Sequence, residues 1–352
     1  MESARRAAKP DREHQQIVVL SLKGAHLTIG GETDREGRHG RIQWPDGKSF
    51  AFSIFDDTDN ATVQNVGPIY DLLSDLGLRT TKSVWPLRSD PGDPKWGQSL
   101  EDDEYLDFIL ELKARGFEIG YHGARIGDNP RSVILEALDL FRQRIGHDPK
   151  TYAQHSYLIE SLYWGKRQTR LPLVGNFVMR NRPFPDFLGD DPKSPYFWGD
   201  LCKERIAYVR CFEFSDRSLL ESDRWTPYHD PQKPYVNFWF SANGGGALGI
   251  DAADEVVRRR IHRWEESGAL ILVSAHLAQG LVRDGKPHPG LARTLRLLSE
   301  SAGWFAPVGE ILDHVRSQRG PHLLTRWRGV RQEVAWVKET AARRLRRRLG
   351  RG

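Results

Sequence analysis

The sequence predicts a parallel α/β fold, and three observations carry that expectation. Apolar runs of strand length alternate with amphipathic helical stretches along most of the chain. The first strong strand, SFAFSIF at 49–55, is apolar on both faces, as an inner parallel strand covered by helices should be. Aspartates and histidines follow directly after strands, which is where parallel α/β folds carry their chemistry.

The elements follow in order. Residues 17–22 and 25–29 read as a short hairpin around Lys23-Gly24, and a polar, Gly-rich connector runs to Arg41. WPDGK at 44–48 is a turn, because Pro presets φ and Asp-Gly accepts the positive φ that follows. After the strand at 49–55, residues 63–77 place Val66, Ile69, Leu72, Leu73 and Leu76 on one helical face, with Gly77 as the stop. Residues 79–85 are a strand, 100–115 a helix closed by Gly116, 117–121 a strand, 130–145 a helix and 150–153 a short strand. Near the far end, 251–267 is helical, 269–275 a buried strand and 291–302 helical. The Pro- and aromatic-rich middle, 171–245, reads as barrel strands carrying long loops, and 327–349 as a helical appendage after the core. The expected division is an N-terminal extension at 1–16, a barrel domain at 17–320 and a basic helical tail at 321–352.

Composition narrows the function class. Among 352 residues, 39% are hydrophobic and 28% charged, enough for a sizeable core, and no apolar run approaches the ~18 residues of a membrane span. Two cysteines, Cys202 and Cys211, exclude a disulfide scaffold and suit a reducing compartment; without a local base they read as small buried residues. The opening MESARRAAKPDREHQQ has no apolar stretch behind its charges, so no secretory signal is expected and the location is read as cytoplasmic. The net charge of +5 is uneven, because residues 321–352 hold ten Lys/Arg against two Asp/Glu. The body is therefore slightly acidic, and no nucleic-acid partner is expected. The basic tail reads either as a peripheral contact with anionic membrane at its inner face or as a solvated terminus.

Four strand ends carry unusual polar groups: Asp56-Asp57-Thr58-Asp59, Tyr121-His122-Gly123, Gln154-His155 and Ala275-His276. Crowded carboxylates call for a metal or a raised pKa, although a solvated acidic turn capping the next helix is the plainer reading. A single strand-end histidine is more often structural. Four such ends are stronger, since a parallel barrel gathers them around one mouth.

The segments SIFDDTD, FEIGYHGA and LILVSAH resemble the NodB-homology polysaccharide deacetylases, over about 50–315. The resemblance implies a distorted parallel (β/α)7-type barrel with long loops. It implies that Asp56 is the catalytic base, Asp57 and His122 are metal ligands, and His276 is the acid. The family's second ligand histidine is replaced by Ile126, and its Arg-x-Pro segment by TYAQHSY, so His155 is expected to supply the missing ligand, the alternative being a residue that supports the ligands or touches substrate. The cofactor expected is a divalent metal, Zn²⁺ first, with Fe²⁺, Co²⁺, Ni²⁺ and Mn²⁺ also suited to such a site. FDDTDNATVQNV, QHSYLIESLYWG, YFWGDLCKERIAYVR, PYHDPQKPYVNFWF and GWFAPVGEILDHV further resemble the WbmS-like branch, found with surface-polysaccharide genes. The implied activity is N-deacetylation of a sugar-containing intermediate of a cell-surface polysaccharide or lipopolysaccharide. A catalytically lapsed barrel that binds glycan or scaffolds its assembly is the alternative. Asp59, Trp198, Asp200, His229, Asp230 and Asn237 are expected to contact substrate, with core packing the competing reading for the aromatics Trp198, Tyr228, Trp239 and Phe240.

Overall fold

The structure, a computed structural model, describes residues 41–89, 97–155, 158–170 and 186–348. Every described residue belongs to one compact unit, Arg41–Gly352. The expected extension at 1–16 and hairpin at 17–29 lie outside the described residues, as does 171–185.

Seven parallel strands close a ring: β1 (Phe50–Asp56), β2 (Thr81–Val84), β3 (Glu118–Tyr121), β4 (Thr151–Tyr152), β5 (Tyr208–Phe214), β7 (Phe238–Gly244) and β8 (Leu270–Ala275), which pairs back onto β1. The two-residue β6 (Tyr228–His229) runs antiparallel to β7 outside the ring, and a small hairpin, β9 (Val282–Arg283) with β10 (Lys286–Pro287), follows β8. The late strand β11 (Gly303–Phe305) takes the first half of β1's free edge, and β12 (His322–Leu323) pairs with β6. Helices α1 (Val63–Asp75), α2 (Asp103–Ala114), α3 (Arg131–Ile145), α4 (Gly199–Arg205), α5 (Leu219–Ser222), α6 (Asp254–Ser267), α7 (Pro289–Ser299), α8 (Val308–Arg319) and α9 (Arg326–Arg348) flank it. The closed seven-stranded parallel barrel is the (β/α)7 form expected from the sequence motifs.

Local chemistry explains the elements that frame the site. Asp46 and Gly47 take φ of 53° and 68°, the left-handed turn that WPDGK requires before β1. Every residue of β1 is buried, because one face looks into the barrel and the other onto helices. Phe50 and Phe52 point outward and meet Trp264 of α6 at 5.9 and 6.0 Å. Phe55, of opposite parity, points inward and meets Phe240 from across the barrel at 6.2 Å. α1 starts where the Thr62 hydroxyl accepts from the Asn65 amide and the Asn65 side chain accepts from the Thr62 amide. That cap fixes the loop 57–62, on which the acidic cluster sits.

α9 is no appendage. Trp336 lies 4.8 Å from Phe212 of β5, and the buried Glu333 meets Arg170 Nη1 at 3.2 Å, while Arg170 Nη2 meets Asp230 at 2.7 Å. Its apolar and acidic residues had to find partners on the barrel wall, which a reading of net charge alone does not reveal. Among the described residues, no helix is long and apolar enough to cross a membrane.

Candidate metal centre

The C-terminal strand ends open into a cleft of about 370 Å³ lined by Asp57, Asp59, His122, His155, Arg210 and His276, with Trp164, Gln154 and Gln279 on its walls. At its floor, one Asp59 carboxylate oxygen, Oδ1, stands 3.6 Å from His122 Nε2 and 3.4 Å from His155 Nε2. Asp59, His122 and His155 form the group of ligand-capable residues among the described positions, all three buried. Two ligands of a tetrahedral ion with bonds near 2.0–2.1 Å stand about 3.3–3.4 Å apart, so these separations match a shared cation. Asp59 Oδ1 and both ring nitrogens of His122 are buried without a hydrogen-bond partner. Orphaned polar atoms are costly in a protein interior, and a metal ion would satisfy Asp59 Oδ1 and the His122 nitrogen beside it at once. The residues present fit the expected divalent metal.

The rings are held edge-on by Trp85, whose centroid lies 4.8 Å from His122 and 5.7 Å from His155. Gly123 makes room for it. With φ at +136°, a Cβ there would lie 2.9 Å from Trp85 Cζ3 and 2.8 Å from Leu158 Cδ1. Burial, then repulsion from His122, depresses the His155 pKa to about 4, outweighing the pull of Asp59 and Asp57. A neutral imidazole is the form a cation needs.

Asp57, expected as a ligand, is engaged elsewhere. Arg210 donates Nη1 to its Oδ1 at 2.8 Å and Nη2 to its Oδ2 at 2.6 Å, a two-pronged pair. Burial pushes the Asp57 carboxyl up, but the Arg210 guanidinium, with His122 and His276, more than offsets it and holds the pKa below the usual range. Asp57 still lines the cleft, 3.9 Å from both His122 Nδ1 and His276 Nε2. Asp59, expected to touch substrate, occupies the ligand group instead.

Asp56, expected as the base, faces away. Being of the same parity as Phe50 and Phe52, it points out of the barrel towards α1. There it meets Lys82 Nζ at 3.1 Å and accepts from Tyr70 Oη at 3.0 Å and the Leu277 amide at 2.8 Å, fully buried. It ties β1, β2 and the segment after β8 together. Burial works against the Lys82 charge, but Asp56, together with Tyr105 and Asp57, more than offsets it and raises the ammonium pKa.

His276 does reach the cleft. Its Nε2 lies 2.9 Å from Asp59 Oδ2, and that hydrogen bond raises its pKa against the effect of burial.

The other expected substrate contacts do not come together here. Trp198 is core, donating Nε1 to the Glu160 carbonyl at 2.7 Å and packing 5.4 Å from Tyr152. Tyr228, Trp239 and Phe240 are likewise buried. Asp200 pairs with Arg131 at 2.5 and 2.8 Å on the outer surface. Asp230 is buried against Arg170. His229 Nδ1 sits 2.9 Å from the Asn237 carbonyl, and Asn237 Nδ2 donates to the carbonyls of Lys203 and Ile206. Asp200 and Asn237 precede β5 and β7, so a parallel barrel delivers them to its far end.

Arg210 and Trp164 were not anticipated from the sequence. An arginine inside YVRCFEF, whose other charge is Glu213 towards its end, is a charge in a mostly apolar strand, which signals a buried carboxylate partner. Arg210 arrives from β5, which pairs with β4, the strand of TYAQHSY. Trp164 gave no such signal, since Tyr163 must adopt a positive φ of 48° to present it.

No family model matches the sequence, and no curated protein matches it. Solved structures do. The chain resembles polysaccharide deacetylases. A polysaccharide deacetylase from Mycobacterium smegmatis is 15% identical with a TM-score of 0.46, over 81% of this chain and 97% of that one. Puue allantoinase is 14% identical with a TM-score of 0.44, over 79% and 93%. A polysaccharide deacetylase from Pseudomonas aeruginosa is 14% identical with a TM-score of 0.42, over 79% and 94%. These likenesses concern the fold alone, and none bears on the WbmS-like branch.

Proposed function

We propose that the protein is a metal-dependent hydrolase that removes an N-acyl group from a sugar in a surface-polysaccharide or lipopolysaccharide intermediate, in the cytoplasm. The observation that carries this reading is the convergence of Asp59 Oδ1, His122 and His155 in an open cleft, with Asp57–Arg210 and His276 on its rim. The sequence motifs supply the deacetylase assignment. Asp59, His122 and His155 would hold the ion, Zn²⁺ first, and when bound it would act as a Lewis acid on water and on the amide carbonyl.

The chain's own residues divide the remaining work. Asp57 replaces Asp56 as the proton acceptor, because it faces the cleft whereas Asp56 is locked behind the barrel wall. Arg210 fixes the direction of that carboxylate through its two bonds. His276 also borders the cleft, its Nε2 3.9 Å from Asp57, where a leaving amine would take up a proton, and its contact with Asp59 fixes the ring. Trp164 offers an aromatic face to a sugar ring at the cleft wall.

One observation favours the lapsed alternative: both Asp57 oxygens are already bonded to Arg210, which weakens it as a base. Acetate release from N-acetylated amino sugars, nucleotide sugars and lipid-linked sugars decides between them. Release that falls at least about a hundredfold in Asp57→Asn while metal is retained supports the enzyme. Metal binding with no release from any of these classes supports a binding barrel.

A further inference from the structure

The C-terminal helix presents a surface that the deacetylase site does not use. Along α9 the exposed positions among the described side chains are Arg326 and then Trp327, Arg331, Val334, Lys338, Ala341 and Leu345, which from Trp327 on recur every three or four residues and so form one outward stripe. Trp327 is 61% exposed and Leu345 59%, values large for such residues on a packed helix. Leu323, 54% exposed on β12, extends the apolar area beyond the helix start.

The charges are sorted to match. Residues 321–352 hold ten Lys/Arg and two Asp/Glu, and both acids turn inward. Glu333 is buried against Arg170, and Glu339 accepts from the Ser215 amide. The outward stripe therefore combines basic and apolar residues without a carboxylate. A tryptophan and leucines between arginine and lysine fit the headgroup boundary of an anionic bilayer, where rings and aliphatic chains enter and cations meet lipid phosphates. A nucleic acid would match the charge but leave Leu323, Val334 and Leu345 in water.

The helix also abuts the cleft. Arg343 donates Nη1 to Glu213 Oε1 and Nη2 to the Glu213 carbonyl, each at 3.0 Å, and Glu213 lines the cleft. We propose that the outward stripe of α9, Trp327 to Leu345, docks the protein on an anionic membrane surface and brings the cleft to sugars carried on lipid. The substrate half of this inference rests on the deacetylase reading, whereas the docking half stands without it.

The test is co-sedimentation with vesicles, measured apart from turnover. Wild type is expected to bind vesicles containing phosphatidylglycerol and not pure phosphatidylcholine, with binding that weakens as salt rises. Each basic residue near an anionic surface strengthens binding about fivefold, so Arg331→Glu with Lys338→Glu is expected to weaken it about thirtyfold or more. Trp327→Ala with Leu345→Ala is expected to weaken it about tenfold or more by removing buried apolar area. Both double variants keep wild-type acetate release from soluble sugars, so loss of docking and loss of catalysis are read separately. Equal binding to both vesicle types, unchanged binding in both double variants, or preference for a random single-stranded RNA over the vesicles overturns the proposal.

Discussion

Replacing Arg210 with methionine is expected to destabilise the protein by about 3–5 kcal/mol, because it strands a buried carboxylate. The Asp57 side chain is 4% exposed and that of Arg210 14%, so the pair is largely withdrawn from water. Two charge-assisted hydrogen bonds, at 2.8 and 2.6 Å, disappear together. Methionine keeps an unbranched apolar chain beside Phe55 but loses the guanidinium, whose Cζ lies 5.3 Å from the ring centroid, so the loss reports charge more than volume. Thermal unfolding of metal-stripped protein should show a midpoint lowered by about 6–10 °C, at roughly 2 °C per kcal/mol for a chain this long. Adding Asp57→Asn should restore most of the loss, since neutralising both partners removes the stranded charge. A single variant within about 1 kcal/mol of wild type, or a double variant no more stable than the single, would refute the pairing as a buried, coupled unit.

Other outcomes follow from the same structure. Glu160 is buried, accepts from Asn129 Nδ2 at 2.6 Å, and burial raises its pKa to about 7. The folded state therefore holds a proton that the unfolded state has released, so stability falls as pH rises from about 4.5 to 7 and is lower above that window by up to about 3 kcal/mol. Glu160→Gln should remove this slope in denaturant titrations across that range; an unchanged slope contradicts the assignment. Gly123→Ala should displace Trp85 from the two imidazoles and lower metal affinity about 10–100-fold by competition with a chromophoric chelator, with overall fold retained by circular dichroism. Wild-type affinity in that variant would show that the Trp85 contact does not orient the ligands.

Much of the barrel was legible, because its strands are short apolar runs punctuated by helix signals. β1 and β8 are read within a residue of their observed bounds. β11 and α8 were harder: a three-residue strand bonded to the outer edge of β1 has no pattern of its own. At the site, the sequence shows that Asp56, Asp57, His122, His155 and His276 sit at strand ends, but not which way each side chain points. Strand parity resolves Asp56, since its neighbour Phe55 faces inward. The choice between Asp57 and Asp59 depends on the turn between β1 and α1 and on Arg210, which lies more than 150 positions away. Long-range pairing of that kind leaves no local signature. His229 and Asn237 fail for a related reason: their polar character is spent on neighbouring backbone, an arrangement invisible until strand direction is known.

The proposed function stands on Asp59, with His122 and His155, holding a divalent metal ion. Elemental analysis of purified protein, by inductively coupled plasma mass spectrometry after gel filtration, tests it most directly. About one metal per chain is expected in wild type and in Asp57→Asn, and a tenth of that or less in Asp59→Ala and His122→Ala. A metal-free wild type after reconstitution with Zn²⁺, or metal that follows Asp57 and ignores Asp59, contradicts the account.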